Sequence, residues 1–338
     1  MTNTELLDLS AINRRLLEIQ KLADRGELVR DETGCGIVLL KNYSKGATSS
    51  GKPKYIGTIT NIDEANFNVW NNSNAYEYFD SLPSGTGSHV VLIYYALSKY
   101  GLVISRIEKV EGYDPDMFVS HKYSEKEVAS EFVTTLKASD ISEKAFSVIR
   151  AVLHTGTSDE VITRFAKEYA AYSHHDNCAS GLLAHTTKCI RIYNGVKGAY
   201  PFLSDAMTND LMVIGLTLHD IGKIYEMRDG VYQKTSFVTH RGLGLEHILP
   251  YKGLIVELYG EEFFYMLCSI ILQHHGEYGE APRTLYATLV HMIDDMEAQL
   301  TSISEVLSEG ITTTDAAGTK IKINGNYLNV MSNLDIAS

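Results

Sequence analysis

The sequence predicts an α+β chain of more than one domain: a five-stranded β-barrel of the OB type, then an all-helical bundle. Three observations predict it. Between 27 and 112, short β-rich runs alternate with turn signals. From 123 to 308, apolar residues recur at helical spacing. Nine of the twelve histidines lie between 174 and 291, within the helical part. With 338 residues, 44 % hydrophobic and 21 % charged, the chain has room for two cores.

Residues 1–26 read as a helix, with Leu6, Leu7, Ile12, Leu16, Leu17 and Ile19 near helical spacing. Five strands are expected in 27–112: GIVLLKNY (36–43), KYIGTITN (54–61), ANFNVW (65–70), SHVVLIYYAL (88–97) and YGLVISRIEKV (100–110). The stretches KGATSSGK (45–52) and SLPSGTGS (81–88) are expected turns, and NNSNAYEYFDSL (71–82) a short helix. Five strands with a helix between the third and fourth suggest the OB barrel, a fold often used for oligonucleotides. Residues 113–122 read as a linker, 123–308 as the helical domain, and 309–338 as a β-like polar tail without assignment.

The formal net charge of −12 argues against a protein that coats nucleic acid by charge alone. It leaves room for a local basic channel. Cys35, Cys178, Cys189 and Cys268 form no CxxC pair, so free thiols are expected rather than a zinc knuckle or disulfide framework. The N-terminus is amphipathic without the apolar core of a signal peptide, and no apolar run is long enough for a membrane span. A cytoplasmic protein with no membrane partner is the expectation. The 21 tyrosines leave aromatic surface for a homo-oligomer interface.

The chemistry concentrates in LTLHDIGKI (216–224). An apolar run, Leu211 to Leu218, delivers His219 and Asp220 into a place of low dielectric. Unpaired polar groups there are costly, and a divalent ion would satisfy both. A core histidine bonded to its neighbouring aspartate would also do. The neighbours favour metal: His185 beside Leu182 and Leu183, His247 in RGLGLEH, His274 and His275 in ILQHHGEYG, and Asp294 in VHMIDDMEAQL. Each lies on or beside an apolar helical segment, as expected if five helices converge on one pocket. Six or more nitrogen and oxygen ligands without thiolate suggest one or two divalent ions. Manganese is the first choice, with magnesium, iron, cobalt or zinc as alternatives, and Asp220 bridges if there are two.

The order H…HD…H…HH…D with HDxGK resembles the HD-domain metal phosphohydrolases. More narrowly, HHDNCASGLLAH, LHDIGKIYE, GLGLEH, QHHGEYGEAP and HMIDD resemble the YhaM-type 3′-5′ exoribonucleases over roughly residues 27–300. Those join an OB-type domain to a C-terminal HD domain. The resemblance implies His185, His219, Asp220 and Asp294 around one metal. It implies His247 and His274, with His275 alongside, around a second metal or on the phosphate. His274 against His275, and Asp294 against Asp295, stay open. The implied activity is metal-dependent 3′-5′ exonuclease hydrolysis of single-stranded nucleic acid, RNA favoured, with catalysis by Asp220 and Lys223. The polarity comes from the resemblance alone.

Lys223 can neutralise the scissile phosphate, or be a lysine favoured by a helix end. His174 and His175 stand where the family has paired histidines, facing substrate or merely capping. His240 and His291 read as structural. In the barrel, Trp70, Tyr55, Phe67, Lys54, Lys41, Lys45 and Lys52 are candidates for stacking and phosphate contact, set against the common use of barrel aromatics as core. Two other functions fit the residues: an HD phosphodiesterase or nucleotidase acting on small nucleotides, and a non-catalytic nucleic-acid binder.

Overall fold

The computed structural model describes residues 6–82, 88–118, 122–154, 160–171, 176–276, 279–308, 313–315, 318–323 and 326–330. The chain divides into two compact units, Met1–His121 and Lys122–Ser338.

In the first unit, helix α1 (Leu9–Asp24) starts at Asp8, whose carboxylate accepts the Ala11 N–H at 2.9 Å. It buries Leu9, Ile12 and Ile19. There follow β1 (Glu32–Ala47), β2 (Pro53–Asn61), β3 (Asp63–Trp70), α2 (Asn74–Ser81), β4 (His89–Ser98) and β5 (Gly101–Lys109). The strands pair in the circuit β1-β2-β3-β5-β4, and β1 also pairs with β4, so the sheet closes on itself. Only the β3–β5 contact is parallel. Alternation puts Ile59, Phe67, Val69, Val91 and Ile93 inside, where they meet Phe79 of α2.

Two details differ from the expectation. The turn expected from residue 45 begins later, because Lys45, Gly46 and Ala47 still pair with Tyr55, Lys54 and Pro53. The 113–122 stretch is not all linker. Pro115–Phe118 forms a 3-10 turn, and Phe118 is buried against Ile37, Leu39 and Val90. The Phe118 carbonyl accepts the Ile62 N–H at 2.8 Å and the Thr60 hydroxyl at 3.0 Å.

The second unit contains α3 (Glu125–Ala138), α4 (Glu143–Leu153), α5 (Glu160–Lys167), α6 (Gly181–Lys197), α7 (Ala206–Leu218), α8 (Lys223–Glu226), α9 (Thr239–Ile248), α10 (Lys252–Tyr259), α11 (Glu261–Gln273) and α12 (Leu285–Ser308). Ser124, Ser142 and Asp205 cap α3, α4 and α7 through their side-chain oxygens. Helix α7 is apolar nearly all round and runs through the core, with every residue from Asn209 to Leu218 buried. A small hairpin, β6 (Met227–Arg228) and β7 (Val231–Tyr232), interrupts the helices. Its turn is Asp229-Gly230, with φ of 52° and 71°, the pair such tight turns favour. The unassigned tail supplies β8 (Thr313–Asp315), β9 (Gly318–Ile323) and β10 (Asn326–Val330), an antiparallel sheet in the order β10-β9-β8. Its Ile321 is buried and β9 packs on α12. Among the described residues, no helix is long and apolar enough to cross a membrane.

Candidate metal centre and strand-binding face

Helix α7 ends where its polar residues begin. His219 closes its last turn, and Asp220 follows in the turn before α8. The other groups arrive from four helices: His185 from α6, His240 from α9, His274 and His275 from the end of α11, and Asp294 from α12. One close approach makes this possible. A Cβ on Gly222 would lie 1.8 Å from the His240 carbonyl oxygen and 2.5 Å from the Gly244 nitrogen. Only glycine lets α9 come this near the turn after Asp220.

Four imidazoles are pinned by their Nδ1 atoms. His219 Nδ1 donates to the Leu216 carbonyl at 2.8 Å and His274 Nδ1 to the Ile271 carbonyl at 3.0 Å. His185 Nδ1 lies 2.5 Å from the Glu297 carboxylate and His240 Nδ1 2.8 Å from that of Glu226. A carbonyl or carboxylate can only accept, so each Nδ1 carries the hydrogen. In the neutral ring that metal binding requires, each Nε2 then keeps its lone pair.

Those lone pairs converge. His185 Nε2 is 3.3 Å from His219 Nε2 and 3.2 Å from Asp294 Oδ1. Asp220 lies between two groups. Its Oδ2 is 3.4 Å from His219 Nε2 and 3.7 Å from His185 Nε2. Its Oδ1 is 3.5 Å from the Nε2 of both His240 and His274. His275 Nε2 stands 2.9 Å from His240 Nε2. Lone pairs facing one another at such distances repel unless a proton or a metal cation lies between them. Metal bonds of about 2.1 Å put neighbouring ligand atoms about 3.0–3.4 Å apart. Asp220 Oδ1 and His274 Nε2 are moreover buried with no hydrogen-bond partner, a costly state that a cation relieves. The residues therefore fit two adjacent divalent ions sharing Asp220, one against His185, His219 and Asp294, the other against His240, His274 and His275. Asp294 remains 20 % exposed and marks the opening to solvent.

Burial opposes a charge on His185, but Cys189, Asp294 and Glu297 outweigh it and hold the ring well above its usual range, so a divalent ion there would displace a proton. Burial pushes His219 down to about 4. Burial, with His274 and His240 beside it, takes His275 to about 3. Both rings are thus neutral, as ligands must be. Burial opposes ionisation of Asp220, but Lys223, His219 and His274 outweigh it and hold the carboxyl well below its usual range. Lys223 Nζ lies 2.6 Å from Asp220 Oδ2, so its charge is spent first on the aspartate.

Each candidate from the sequence has a definite place. His185, His219, Asp220, His274, His275 and Asp294 come together. Asp295 points out and accepts a hydrogen bond from Gln299 at 2.6 Å. His291 Nδ1 donates to the His274 carbonyl at 2.8 Å and steadies that turn. The expectation for α9 is corrected. His240, read as structural, reaches the cluster, and His247 does not. His247 Nε2 donates to the Val152 carbonyl at 3.1 Å and its Nδ1 accepts the Tyr225 hydroxyl at 2.9 Å, so neither nitrogen is available. His174 and His175 lie outside the described residues.

Sequence reasoning missed Glu297, Lys188 and Cys189. Glu297 follows Asp294 by three residues on α12, the spacing that shares a helix face. Its carboxylate orients His185 and is held in turn by Lys188 at 2.9 Å and the Thr301 hydroxyl at 2.6 Å. Lys188 also pairs with Asp176 at 2.7 Å, so an ammonium already fills the space between those acids. Cys189 packs on His185 at 3.7 Å, and burial raises its thiol to about 11, which keeps it protonated.

Carboxylates behind a ligating histidine typically tune metal affinity by 10–100-fold, so Glu297→Gln should weaken manganese binding by about that factor in calorimetric titration. Burial opposes its ionisation, but His185 and Lys188 outweigh this and lower Glu297 from 4.5 to about 2. A depressed carboxylate stabilises the fold above its unfolded pKa, and that contribution is lost as pH falls from about 4.5 toward 2. The variant should show a flatter loss of melting temperature across that window. Equal slopes and equal metal affinity would remove Glu297 from this role.

In the first unit the candidates separate by the strand pleat. Tyr55 and Phe67 face inward. Tyr55 is buried against Tyr76 and Phe79, with its hydroxyl 2.6 Å from Asp80. Lys41 is buried and paired with Glu64 at 2.6 Å. None of these three can stack a base or meet a phosphate as expected. Lys45 is spent on Asp80 at 3.0 Å, whereas Lys52 is exposed. Trp70 faces outward with Lys54 5.6 Å over its ring and Tyr100 edge-on at 6.2 Å. Tyr100, at 62 % exposure, was not anticipated, because it lies in the β4–β5 turn.

The comparisons with known proteins agree with this geometry. Residues 183–299 match the family described as HD domain, a stretch that takes in the clustered residues from His185 to Asp294. The chain is similar to proteins named 3′-5′ exoribonuclease YhaM. That of Listeria innocua is 26 % identical over 296 residues, covering 80 % of this chain and 86 % of the relative. That of Oceanobacillus iheyensis is 27 % identical over 289 residues, covering 81 % and 86 %. With that of Listeria monocytogenes the identity is 28 % over 197 residues, covering 53 % of this chain and 61 % of the relative's length. No solved structure matches.

Proposed function

We propose that the protein is a metal-dependent 3′-5′ exonuclease acting on single-stranded RNA in the cytoplasm, with its catalytic centre at Asp220. The observation that carries this is the convergence of four Nε2 lone pairs on the two oxygens of one buried aspartate, inside an HD domain. The likeness to the YhaM exoribonucleases supplies the polarity and the RNA.

When bound, divalent ions supply Lewis acidity at the phosphodiester and activate water; manganese is the first candidate. The chain does the rest. His185, His219 and Asp294 would hold one ion, His240, His274 and His275 the other, and Asp220 both. Lys223 stabilises the ionised Asp220 and has further N–H donors for a nonbridging phosphate oxygen. Water adds at phosphorus, the bond to the preceding 3′-oxygen breaks, that oxygen takes a proton, and a 5′-mononucleotide leaves.

The first unit is proposed as an OB-type strand-binding domain. Its support is the strand circuit with a helix between β3 and β4, and the group of half-buried Trp70 and Lys54 with exposed Tyr100, on β3, β2 and the β4–β5 turn. Base stacking on an aromatic is worth about 1–3 kcal/mol. Trp70→Ala with Tyr100→Ala should therefore weaken RNA binding by at least about tenfold in a filter or anisotropy titration, without changing manganese affinity.

The direct test is a time course on 5′-labelled single-stranded RNA and its DNA counterpart, with manganese, with magnesium and with chelator. A metal-dependent ladder shortening from the 3′ end supports the reading. No cleavage of either strand, with turnover of small nucleotides, would replace it by the nucleotidase alternative.

A further inference from the structure

A second cavity lies beside the metal centre and takes no part in it. Its volume is about 700 Å³, and its walls come from α5, α8, β6 and α9. His240, Leu243 and His247 fall at i, i+3 and i+7 on α9, one face of one helix. The cavity at Leu243 and His247 is thus about 10 Å along the helix from the ligand His240.

Its lining combines aromatic rings with two guanidiniums. Tyr225, His247 and Tyr251 form an aromatic wall, with ring centroids 5.6 and 6.1 Å apart in succession. The Tyr225 hydroxyl donates to His247, which fixes both rings. Arg164 lies 5.6 Å over the Tyr225 ring and spends one N–H on the Met227 carbonyl at 3.3 Å. Arg228 is exposed at the rim, and its guanidinium has no ion pair or hydrogen bond among the described residues. Glu246, also lining the cavity, suits a ribose hydroxyl or an exocyclic amine. Two guanidiniums outweigh this one carboxylate, and guanidinium is the group that grips phosphate in two-pronged fashion.

We propose that this cavity binds a nucleoside phosphate: the nucleotide next to the one cleaved, its base on the Tyr225–Tyr251 wall and its phosphate on Arg228 and Arg164. The assignment to a substrate nucleotide rests on the exonuclease reading. The nucleoside-phosphate site does not.

Arg228→Glu is the variant to make, since Arg228 is exposed and supports no packing. Two readouts keep the two readings apart. Titration of the manganese-loaded full chain with adenosine monophosphate should show, in wild type, a binding component that Arg228→Glu loses and Arg228→Lys largely keeps. Identical isotherms for wild type and Arg228→Glu overturn the site, whatever the activity. In kinetics, Arg228→Glu should raise KM for an RNA oligomer at least tenfold. It should leave hydrolysis of bis(p-nitrophenyl) phosphate, too small to reach the cavity, within twofold. An unchanged oligomer KM overturns the substrate assignment. If wild type cleaves no RNA but the nucleotide component still depends on Arg228, the site stands and the exonuclease reading fails.

Discussion

Asp220→Ala is expected to abolish hydrolysis, with kcat/KM falling by roughly three orders of magnitude or more, a barrier increase of about 4 kcal/mol. The reason is geometric. Among the described residues, Asp220 is the one carboxylate with an oxygen toward each group of imidazoles, at 3.4 Å and 3.5 Å. Its removal would take a ligand from both proposed ions and leave Lys223 close to buried with its partner gone. Metal content by mass spectrometry should fall with activity. Full metal content with wild-type turnover would contradict the central role of Asp220.

Gly222→Ala is expected to be nearly as damaging, although Gly222 touches no substrate. Its new methyl would meet two backbone atoms of α9, at 1.8 and 2.5 Å, and backbone cannot swing aside as a side chain can. Overpacking of this kind costs about 1–3 kcal/mol, or more where backbone must shift. The shift would draw His240 away from Asp220. Melting temperature should drop by several degrees, and manganese affinity should fall further than for a core control of comparable destabilisation whose residue is not in the cluster, such as Val148→Ala in α4. A stable variant with normal affinity would show that α9 does not need this approach.

Much of the architecture was legible because burial and periodicity are local. The apolar run to Leu218 had to end in a buried place, and His219 and Asp220 at its end had to be satisfied there. The strands showed their alternation, and with it more than was taken from it. Tyr55 and Ile59 lie four residues apart on one face of β2, so Tyr55 belonged with the core, while Trp70 alternates outward from Val69. The choice between His240 and His247 was harder. Seven residues apart, they share a helical phase, and phase cannot say which end of α9 approaches Asp220. The deciding contact is tertiary, Gly222 against His240 and Gly244, and its only trace in the sequence is two small residues. Glu297 could have been found from its i+3 spacing to Asp294. Tyr100 in its short turn had no periodic signal at all.

Asp220 is proposed to bridge two adjacent cation sites. The most direct test is electron paramagnetic resonance of the full chain titrated with manganese, read beside the bound stoichiometry. Two ions per chain with an exchange-coupled spectrum, reduced to a single uncoupled ion in His240→Ala but unaffected in His247→Ala, is the expected result. One uncoupled ion in the wild type, or loss of the second ion in His247→Ala rather than His240→Ala, would contradict it.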